Sequence, residues 1–223
     1  MIPINRPQMD EEEVQAVLEV MRKGPLTNAL GAGPKVLEFE KSFAYFAGAK
    51  YAVAVNTGTA ALHAALMAVG VKRDDEVILP SFTFVATAEA VVLAGGKPVF
   101  TDIDPVTYNL SPSAVEKAIT NKTKAILPVD LYGFSADMKS LREIASKLSL
   151  GLVEDGAQAH GTTYESKPPG AFSDAVCWSL YASKNIMTGE GGMITTNDDQ
   201  IDQTLRMIRT HGEKAKYASL MLG

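Results

Sequence analysis

Short runs of β-branched and apolar residues alternate along the chain with longer segments whose apolar residues recur at helical spacing. This alternation is typical of βα units packed on a mostly parallel sheet. It predicts an α/β fold in three layers (α/β/α), with helices on both faces of a mostly parallel sheet of about seven strands. The predicted strands are residues 51–55, 76–79, 97–101, 124–129, 151–154, 175–180 and 192–196.

Helical periodicity predicts the helices that join those strands. Asp10 precedes an acidic first turn, which suits the positive end of a helix dipole, and Gly24-Pro25 ends the same helix. Between residues 175 and 196 two strand patterns follow each other without a helix, so at least one strand there is expected to be antiparallel. The predicted helices lie around residues 11–22, 35–47, 59–69, 86–94, 113–119, 137–148 and 198–209.

Composition and charge exclude several classes of partner. The 223 residues carry 21 Lys and Arg against 26 Asp and Glu, a net charge of −5. This balance argues against nucleic acid or an anionic membrane as a partner. The N-terminus lacks an apolar signal region and no run of about 18 apolar residues occurs, so we expect a cytoplasmic protein. The single Cys177 is expected in the core, and no Cys and His spacing indicates a metal site.

The segment Asn56-Thr57-Gly58-Thr59 follows a predicted strand and opens a helix. Backbone N–H groups at a helix N-terminus, a threonine hydroxyl and a glycine that permits close approach together make an anion site. The Gly-Lys-Ser/Thr of a nucleoside-triphosphate loop is not part of this segment. An ordinary N-cap by Thr57 or Thr59 explains the same residues and is the alternative interpretation.

Asp155 stands at the end of an apolar strand and is followed by Gly156-Ala157-Gln158-Ala159-His160. A carboxylate buried there needs a cation or a strong donor opposite it, because desolvating an unpaired charge is costly. The alternative is a carboxylate that caps the next loop. A metal site is not expected, since the sequence lacks a third convergent ligand, and His160 is expected to be structural.

Lys184 follows a strongly apolar strand and precedes the turn Gly189-Glu190-Gly191-Gly192. Such surroundings desolvate an amine and suit it to Schiff-base chemistry, whereas the alternative is a solvated surface lysine. In residues 80–87 the aromatic side chains, including Phe84, are either core residues or platforms for a planar ring. A parallel sheet places all these segments at one edge, where such folds bind ligands.

Taken in order, these motifs resemble those of the DegT/StrS-type sugar aminotransferases, pyridoxal-phosphate enzymes of the aspartate-aminotransferase fold, fold type I. The resemblance spans nearly the whole chain, and its most specific feature is the acidic–glutamine block followed by the lysine–glycine block. The matching segments are Gly33-Pro34, Phe39-Glu40, residues 56–62, residues 80–84, Leu131-Tyr132-Gly133, Ala136-Asp137-Met138, residues 154–161, Lys184-Asn185 and residues 189–193.

The resemblance implies that the cofactor is pyridoxal 5'-phosphate (PLP). It implies that Lys184 forms a Schiff base with the cofactor and then moves the proton between cofactor and substrate. Asp155 would pair with the protonated pyridine nitrogen and keep the ring an electron sink. The other cofactor-binding residues that the resemblance implies are Gln158 near the 3-hydroxyl, Phe84 stacked on the ring, and Gly58, Thr59 and Ser179 around the phosphate.

Departures from the family pattern qualify these expectations. Family members run well beyond this length and carry a small C-terminal domain, so residues 1–223 are expected to be an N-terminal segment plus the PLP-binding large domain, incomplete and catalytically poor. Asp130 and Phe134 stand where many relatives have His and a polar residue. No strand is expected in residues 213–223, and the loop 24–33 is expected to lie across the partner in a homodimer.

The function implied by the resemblance is transamination of a nucleotide-linked ketosugar in amino-sugar biosynthesis, with glutamate as the amino donor. One alternative is a sugar dehydratase of the same fold that uses PLP or its amine form PMP, although that class usually has His in place of Lys184. A truncated, non-catalytic chain that binds the cofactor is a second alternative. A generic phosphate-binding α/β module is a third, and it leaves Asp155 and Lys184 unexplained.

Overall fold

A seven-stranded sheet forms the centre of the molecule in the computed structural model, which describes residues 5–27, 32–215 and 217–221. Its strand order is β1-β7-β6-β5-β4-β2-β3. The strands are β1 Tyr51–Val55, β2 Glu76–Pro80, β3 Lys97–Thr101, β4 Thr123–Ile126, β5 Gly151–Asp155, β6 Ala175–Ser179 and β7 Gly192–Thr196. The predicted fold class and the seven predicted strands are therefore confirmed.

Six of these strands are parallel, and β7 alone in the sheet is antiparallel to its neighbours β1 and β6. This confirms the expectation of an antiparallel strand between residues 175 and 196. The sharp return from β6 to β7 leaves a loop at the carboxyl end of β6. That loop carries Lys184.

Seven helices are found in the described part of the chain, close to the predicted positions. Asp10 caps the first, where its side chain accepts from the Glu12 amide at 2.9 Å and the Glu13 side chain accepts in return from the Asp10 amide. The helices are α1 Glu11–Lys23, α2 Pro34–Phe46, α3 Gly58–Ala68, α4 Val85–Leu93, α5 Pro112–Ala118, α6 Met138–Leu148 and α7 Asp199–Arg209.

The helices cover the two faces of the sheet as separate apolar cores. On one face α3, α4 and α7 pack on alternate residues of the strands, such as Val53, Val153 and Ile194. On the other face α5 and α6 pack on the β2–β4–β5 part, and α2 packs on the β1–β7–β6 part around Trp178. Cys177 lies in the first core, as expected. Side chains along a strand alternate between the two cores because of the pleat.

The structure also departs from the predicted elements. Strand β4 ends at Ile126 rather than at Val129, since Pro128 has no N–H to donate, although the Asp155 amide still donates to the Pro128 carbonyl at 2.9 Å. The expectation of no strand in residues 213–223 is wrong: β8 Glu213–Ala215 and β9 Ala218–Ser219 form a hairpin. These strands are too short to leave an alternating pattern.

Of the loop predicted at residues 24–33, residues 28–31 lie outside the described residues, and the others are in neither helix nor strand. No described helix is both long enough and apolar enough to pass through a bilayer.

Candidate active site

A cavity of about 420 Å³ opens at the carboxyl edge of the sheet, where the loops after β1, β2, β5 and β6 meet. Parallel strands place their carboxyl ends side by side, which brings together residues that are far apart in sequence. All seven residues predicted for the site line this cavity: Gly58, Thr59, Phe84, Asp155, Gln158, Ser179 and Lys184.

The first turn of α3 forms one end of the cavity. Thr57 is the N-cap, and its hydroxyl accepts from the Ala60 amide at 3.0 Å, so the predicted cap is confirmed. A Cβ on Gly58 would lie 2.9 Å from Ser179 Cβ, which leaves room only for glycine. The helix N-terminus, the Thr59 side chain and the Ser179 hydroxyl thus border a space where an anion meets N–H and O–H donors.

Asp155 forms the floor of the cavity and is 5% exposed. Its Oδ2 accepts from the Thr87 hydroxyl at 2.9 Å, and its Oδ1 accepts from the Ala157 amide at 3.2 Å. Burial raises the pKa of the Asp155 carboxyl, while the Thr87 and Ala157 hydrogen bonds and the charge of Lys184 act in the opposite direction. The predicted need for donors is met, and the loop-capping interpretation holds as well, because Ala157 belongs to the loop that follows.

Lys184 lies in the loop between β6 and β7 and is half-buried. The Lys184 amide donates to the Tyr181 carbonyl at 2.8 Å, and the Ala182 amide donates to the Gly189 carbonyl at 2.9 Å, which fixes the loop backbone. From the N-terminal segment, Asn5 donates to the Ala182 carbonyl. Within the described residues the Lys184 ammonium forms neither a hydrogen bond nor an ion pair, so its amine is available to a ligand in the cavity.

Gln158 is oriented by the turn that follows β4. The Tyr132 amide donates to Gln158 Oε1 at 2.7 Å, and Tyr132 adopts a left-handed backbone with φ of 55°. A backbone N–H can only donate, so this contact identifies the oxygen of the side-chain amide. The Gln158 Nε2 group is therefore left as a donor toward the cavity that the residue lines.

Phe84 stands at the mouth of the cavity, where it precedes α4 as the N-cap residue and is 75% exposed. Its ring is not part of the core, which leaves it able to cover a planar ligand from the solvent side. Of the two interpretations drawn from the sequence, the structure therefore excludes a core position for Phe84.

His160 packs its ring against Phe43 and Trp178, with ring centroids 6.4 and 5.4 Å away. Burial, reinforced by the charge of Lys184, lowers the pKa of His160 to about 4. The imidazole is thus neutral near pH 7 and does not add a second cation beside Lys184. This packing supports the structural role expected for His160.

Several cavity residues were not singled out from the sequence. Thr87 is the main one: it comes one helical turn after Thr83, to which its hydroxyl bonds at 2.8 Å, yet nothing in its sequence marks it as the donor to Asp155. A second cavity of about 600 Å³ adjoins the first and shares Gln158, Ser183 and Lys184 with it. Tyr132, Thr162 and Asn185 also line this second cavity.

Comparison with known proteins matches this site to a family. Residues 7–223 fit the profile of the DegT/DnrJ/EryC1/StrS aminotransferase family. GDP-perosamine synthase from Caulobacter vibrioides is 44% identical over 211 residues, 95% of this chain and 56% of that protein. UDP-2-acetamido-2-deoxy-3-oxo-D-glucuronate aminotransferase from Pseudomonas aeruginosa is 47% identical over 192 residues, 86% of this chain and 54% of that protein.

Solved structures agree. NtdA from Bacillus subtilis with bound cofactor PMP superposes with a TM-score of 0.87 at 34% identity, over 96% of this chain and 49% of that one. The chain spans about half the length of the curated relatives it matches. The resemblance drawn from the motifs is confirmed, and the chain belongs to the DegT/DnrJ/EryC1/StrS aminotransferase family.

Proposed function

We propose that this chain forms the PLP-binding part of a transaminase that acts on a nucleotide-linked ketosugar, with glutamate as the amino donor. The observation that carries the proposal is one cavity with three features at separate points: an amine that has no partner among the described residues, a buried carboxylate and an anion cradle, given by Lys184, Asp155 and Gly58. A generic phosphate site needs only the third of these.

The residues present fit PLP. Gly58, Thr59 and Ser179 would hold its phosphate, because the glycine lets the α3 N-terminus pack closely on Ser179, which brings backbone N–H and hydroxyl donors together. Asp155 would accept from the pyridine nitrogen, and Gln158 Nε2 would donate to the ring oxygen. Phe84 would cover the exposed side of the ring.

Asp155 sets the charge at the floor of the site. When bound, PLP supplies the electron sink for the transamination chemistry. A protonated ring nitrogen would add an opposite charge beside Asp155, which offsets the burial that raises the pKa of this carboxyl. The Thr87 hydroxyl holds Oδ2 in place, so the carboxylate is oriented before the ligand arrives.

Lys184 moves the proton in this scheme. It borders both cavities, so its amine can reach a group held in either one. We assign the first cavity to the cofactor and the second to the substrate, with the Lys184 Nζ atom taking a proton from the substrate carbon and returning it. His160 is a weak base because its pKa is lowered to about 4, and its ring is packed on Phe43 and Trp178, so Lys184 is the base in this scheme.

The substrate class rests on the relatives. The two named above act on GDP- and UDP-linked sugars by their names. The second cavity offers hydroxyl, amide and backbone groups to a sugar through Tyr132, Thr162 and Asn185. We further propose that the protein is a cytoplasmic homodimer. Residues 1–223 would be its N-terminal segment and its PLP-binding large domain. In the relatives, the part beyond the matched region would form the small domain.

Labelling of Lys184 tests the proposal. The purified chain is incubated with PLP, reduced with borohydride and mapped by peptide mass spectrometry. A single adduct is expected on Lys184, absent from Lys184→Ala and unchanged in the surface variant Lys167→Arg. An adduct on another lysine, or none in a folded chain, rejects the proposal. If Lys184 is labelled but a polypeptide of the relatives' full length does not react with glutamate, the result favours a non-catalytic cofactor-binding protein instead.

A further inference from the structure

Two buried carboxyl groups, those of Asp130 and Glu154, meet on the face of the sheet opposite the cavity. Both are at most 1% exposed. Val129 and Asp155 form a parallel β-bridge. Asp130 follows Val129 and Glu154 precedes Asp155, so both side chains point to the face opposite Asp155. The Asp130 and Glu154 side chains interact there, near enough to form a hydrogen bond once one of them carries a proton, and the site chemistry does not use either of them.

The donors around this pair are distributed unequally. Glu154 Oε2 accepts from the Gly170 amide at 2.9 Å and from the Ser173 hydroxyl at 2.6 Å. Asp130 Oδ1 accepts from the Ala136 amide at 3.0 Å, whereas Asp130 Oδ2 is buried and receives no donor from the described residues. A carboxylate oxygen left in this way is costly, but a protonated oxygen would be satisfied by donating to Glu154.

Charge in the surroundings favours the same assignment. Asp155 on β5 and Cys177 on β6 point to the other face of the sheet but act on the pair electrostatically through it, and neither of these two groups is a cation. Burial, and then the nearby Glu154, raise the pKa of Asp130 well above its usual range. Two like charges in contact without a cation cannot both be retained in a buried site.

The backbone of Asp130 connects this pair to the active site. Its amide donates to the Asp155 carbonyl at 3.0 Å, and its carbonyl accepts from the Gly133 amide at 3.2 Å. With the Ala136 bond, these contacts close the turn whose Tyr132 amide donates to Gln158. A shift of Asp130 would therefore move the group that orients the Gln158 side chain.

We propose that Asp130 is a positioning residue that carries a proton on Oδ2, donates it to Glu154, and thereby fixes the turn through which Tyr132 orients Gln158. The positioning part rests on the proposed function, since Gln158 matters only if a cofactor lies in the cavity. A neutral Asp130 also keeps a further negative charge away from Asp155, the carboxyl that must be ionised to pair with the ring nitrogen.

Infrared spectroscopy of the chain without cofactor tests the proton. Near pH 7 the wild type should show a carboxylic-acid C=O stretch that disappears in Asp130→Asn, because an amide keeps the donor and the shape but has no acid proton. Asp137→Asn is the matched control: it lies in the same loop, and hydrogen bonds from Ser140 and Tyr164 help hold the pKa of Asp137 low. Burial raises the pKa of Asp155 as well, so both spectra are also recorded in an Asp155→Asn background. A wild type without the band, or a band that persists at full intensity when Asp130→Asn is introduced in that background, overturns the proposal.

Amide hydrogen exchange at Tyr132 tests the positioning, again without cofactor. Losing a neutral hydrogen bond should speed this exchange about 2- to 12-fold. We expect that acceleration in Asp130→Ala and in Gln158→Ala, no further acceleration in the double variant, and near-wild-type exchange in Asp130→Asn. If Asp130→Ala folds and the Tyr132 amide exchanges as in the wild type, the positioning role of Asp130 is overturned. If Asp130→Ala does not fold, accelerated exchange of the Tyr132 amide in Asp130→Asn overturns that role instead.

A PLP titration tests whether the turn held by Asp130 affects cofactor binding in the cavity. Affinity should be nearly unchanged in Asp130→Asn and reduced in Gln158→Ala. A wild type that binds no PLP rejects the proposed function, whereas the infrared and exchange results judge the proton and the turn separately. A large loss of affinity in Asp130→Asn with intact exchange at Tyr132 would overturn the positioning role.

Discussion

Replacing Asp155 with Asn removes the charge at the floor of the cavity while keeping the size of the side chain. The carboxamide oxygen of the variant can still accept one hydrogen bond, but an amide cannot balance a protonated ring nitrogen. A hydrogen bond to a charged group is worth about 1.5–3 kcal/mol, so PLP affinity should fall about 10- to 150-fold. Turnover should fall further, because the same charge supports the ring as an electron sink.

The structure supplies a bound for that larger loss. Asp155 is 5% exposed, so the cofactor nitrogen would lose its partner in a buried site. Removing one member of a buried ion pair costs about 3–5 kcal/mol, which corresponds to a rate loss of about 150- to 5,000-fold. The control Thr87→Val removes only the hydroxyl that donates to Asp155 Oδ2 and should cost less in both measurements.

The stability of the cofactor-free chain separates this effect from unfolding. Burial raises the pKa of Asp155, so the folded state holds this proton more tightly than the unfolded state. Stability from this group is therefore lost as the pH rises through the raised pKa. Asp155→Asn should be at least as stable as the wild type at pH 8, by urea unfolding.

The assay for Asp155→Asn pairs a PLP titration of this chain with the rate of the glutamate half-reaction in a polypeptide of the relatives' full length. Turnover within a few-fold of wild type would refute the ring-nitrogen role. A clear drop in stability at pH 8 would refute the charge argument instead.

Further predictions concern the cradle, the packing and the assembly. Gly58→Ala places a Cβ 2.9 Å from Ser179 Cβ and should weaken PLP binding in a spectroscopic titration. Glu40→Ala removes the carboxylate partner of Arg209 and one of the two carboxylate partners of Arg206, which keeps Asp202, and should cost about 3–5 kcal/mol in urea unfolding, against less than about 1 kcal/mol for the exposed control Glu38→Ala. The wild type should lose stability as the pH falls from 6.5 to about 4, because His160 must then be protonated in a buried site, and this loss should be smaller in His160→Gln. Light scattering should show a dimer at micromolar concentration, and a strict monomer contradicts the proposed assembly.

Much of the fold was predictable because its elements leave long local signals. All seven strands of the main sheet coincide with β-branched runs, and Asp10 with Gly24 marks the two ends of α1. The β8–β9 hairpin was missed because two and three residues are too few to show a period of two. The end of β4 was missed because Pro128 stands within an otherwise apolar run.

Residues that line the candidate cavity were predictable from the sequence, but the contacts between them were not. Lys184 and Asp155 follow apolar strands, and the family order of their motifs identifies them. Thr87 was passed over because its role depends on how α4 sits above β5, which no local pattern records. The contact between Asp130 and Glu154 depends on the register of two segments separated by α6, so it emerges only from the folded sheet.

Glu154 and Asp155 show how strand geometry decides what neighbouring acids do. Adjacent side chains of β5 point to opposite faces, so Asp155 reaches the cavity with Thr87, and Glu154 is held under Gly170 and Ser173 on the other face. A register shift by one residue would exchange them and place a longer carboxylate at the cavity floor. The bond from the Asp155 amide to the Pro128 carbonyl and the pairing of Asp155 with Cys177 fix that register from both neighbouring segments. Accordingly, Glu154→Gln should leave the cavity carboxylate in place. Asp155→Glu should not keep the carboxylate at the position that Asp155 gives it, because the added methylene must be accommodated against Thr87 in a closely packed floor.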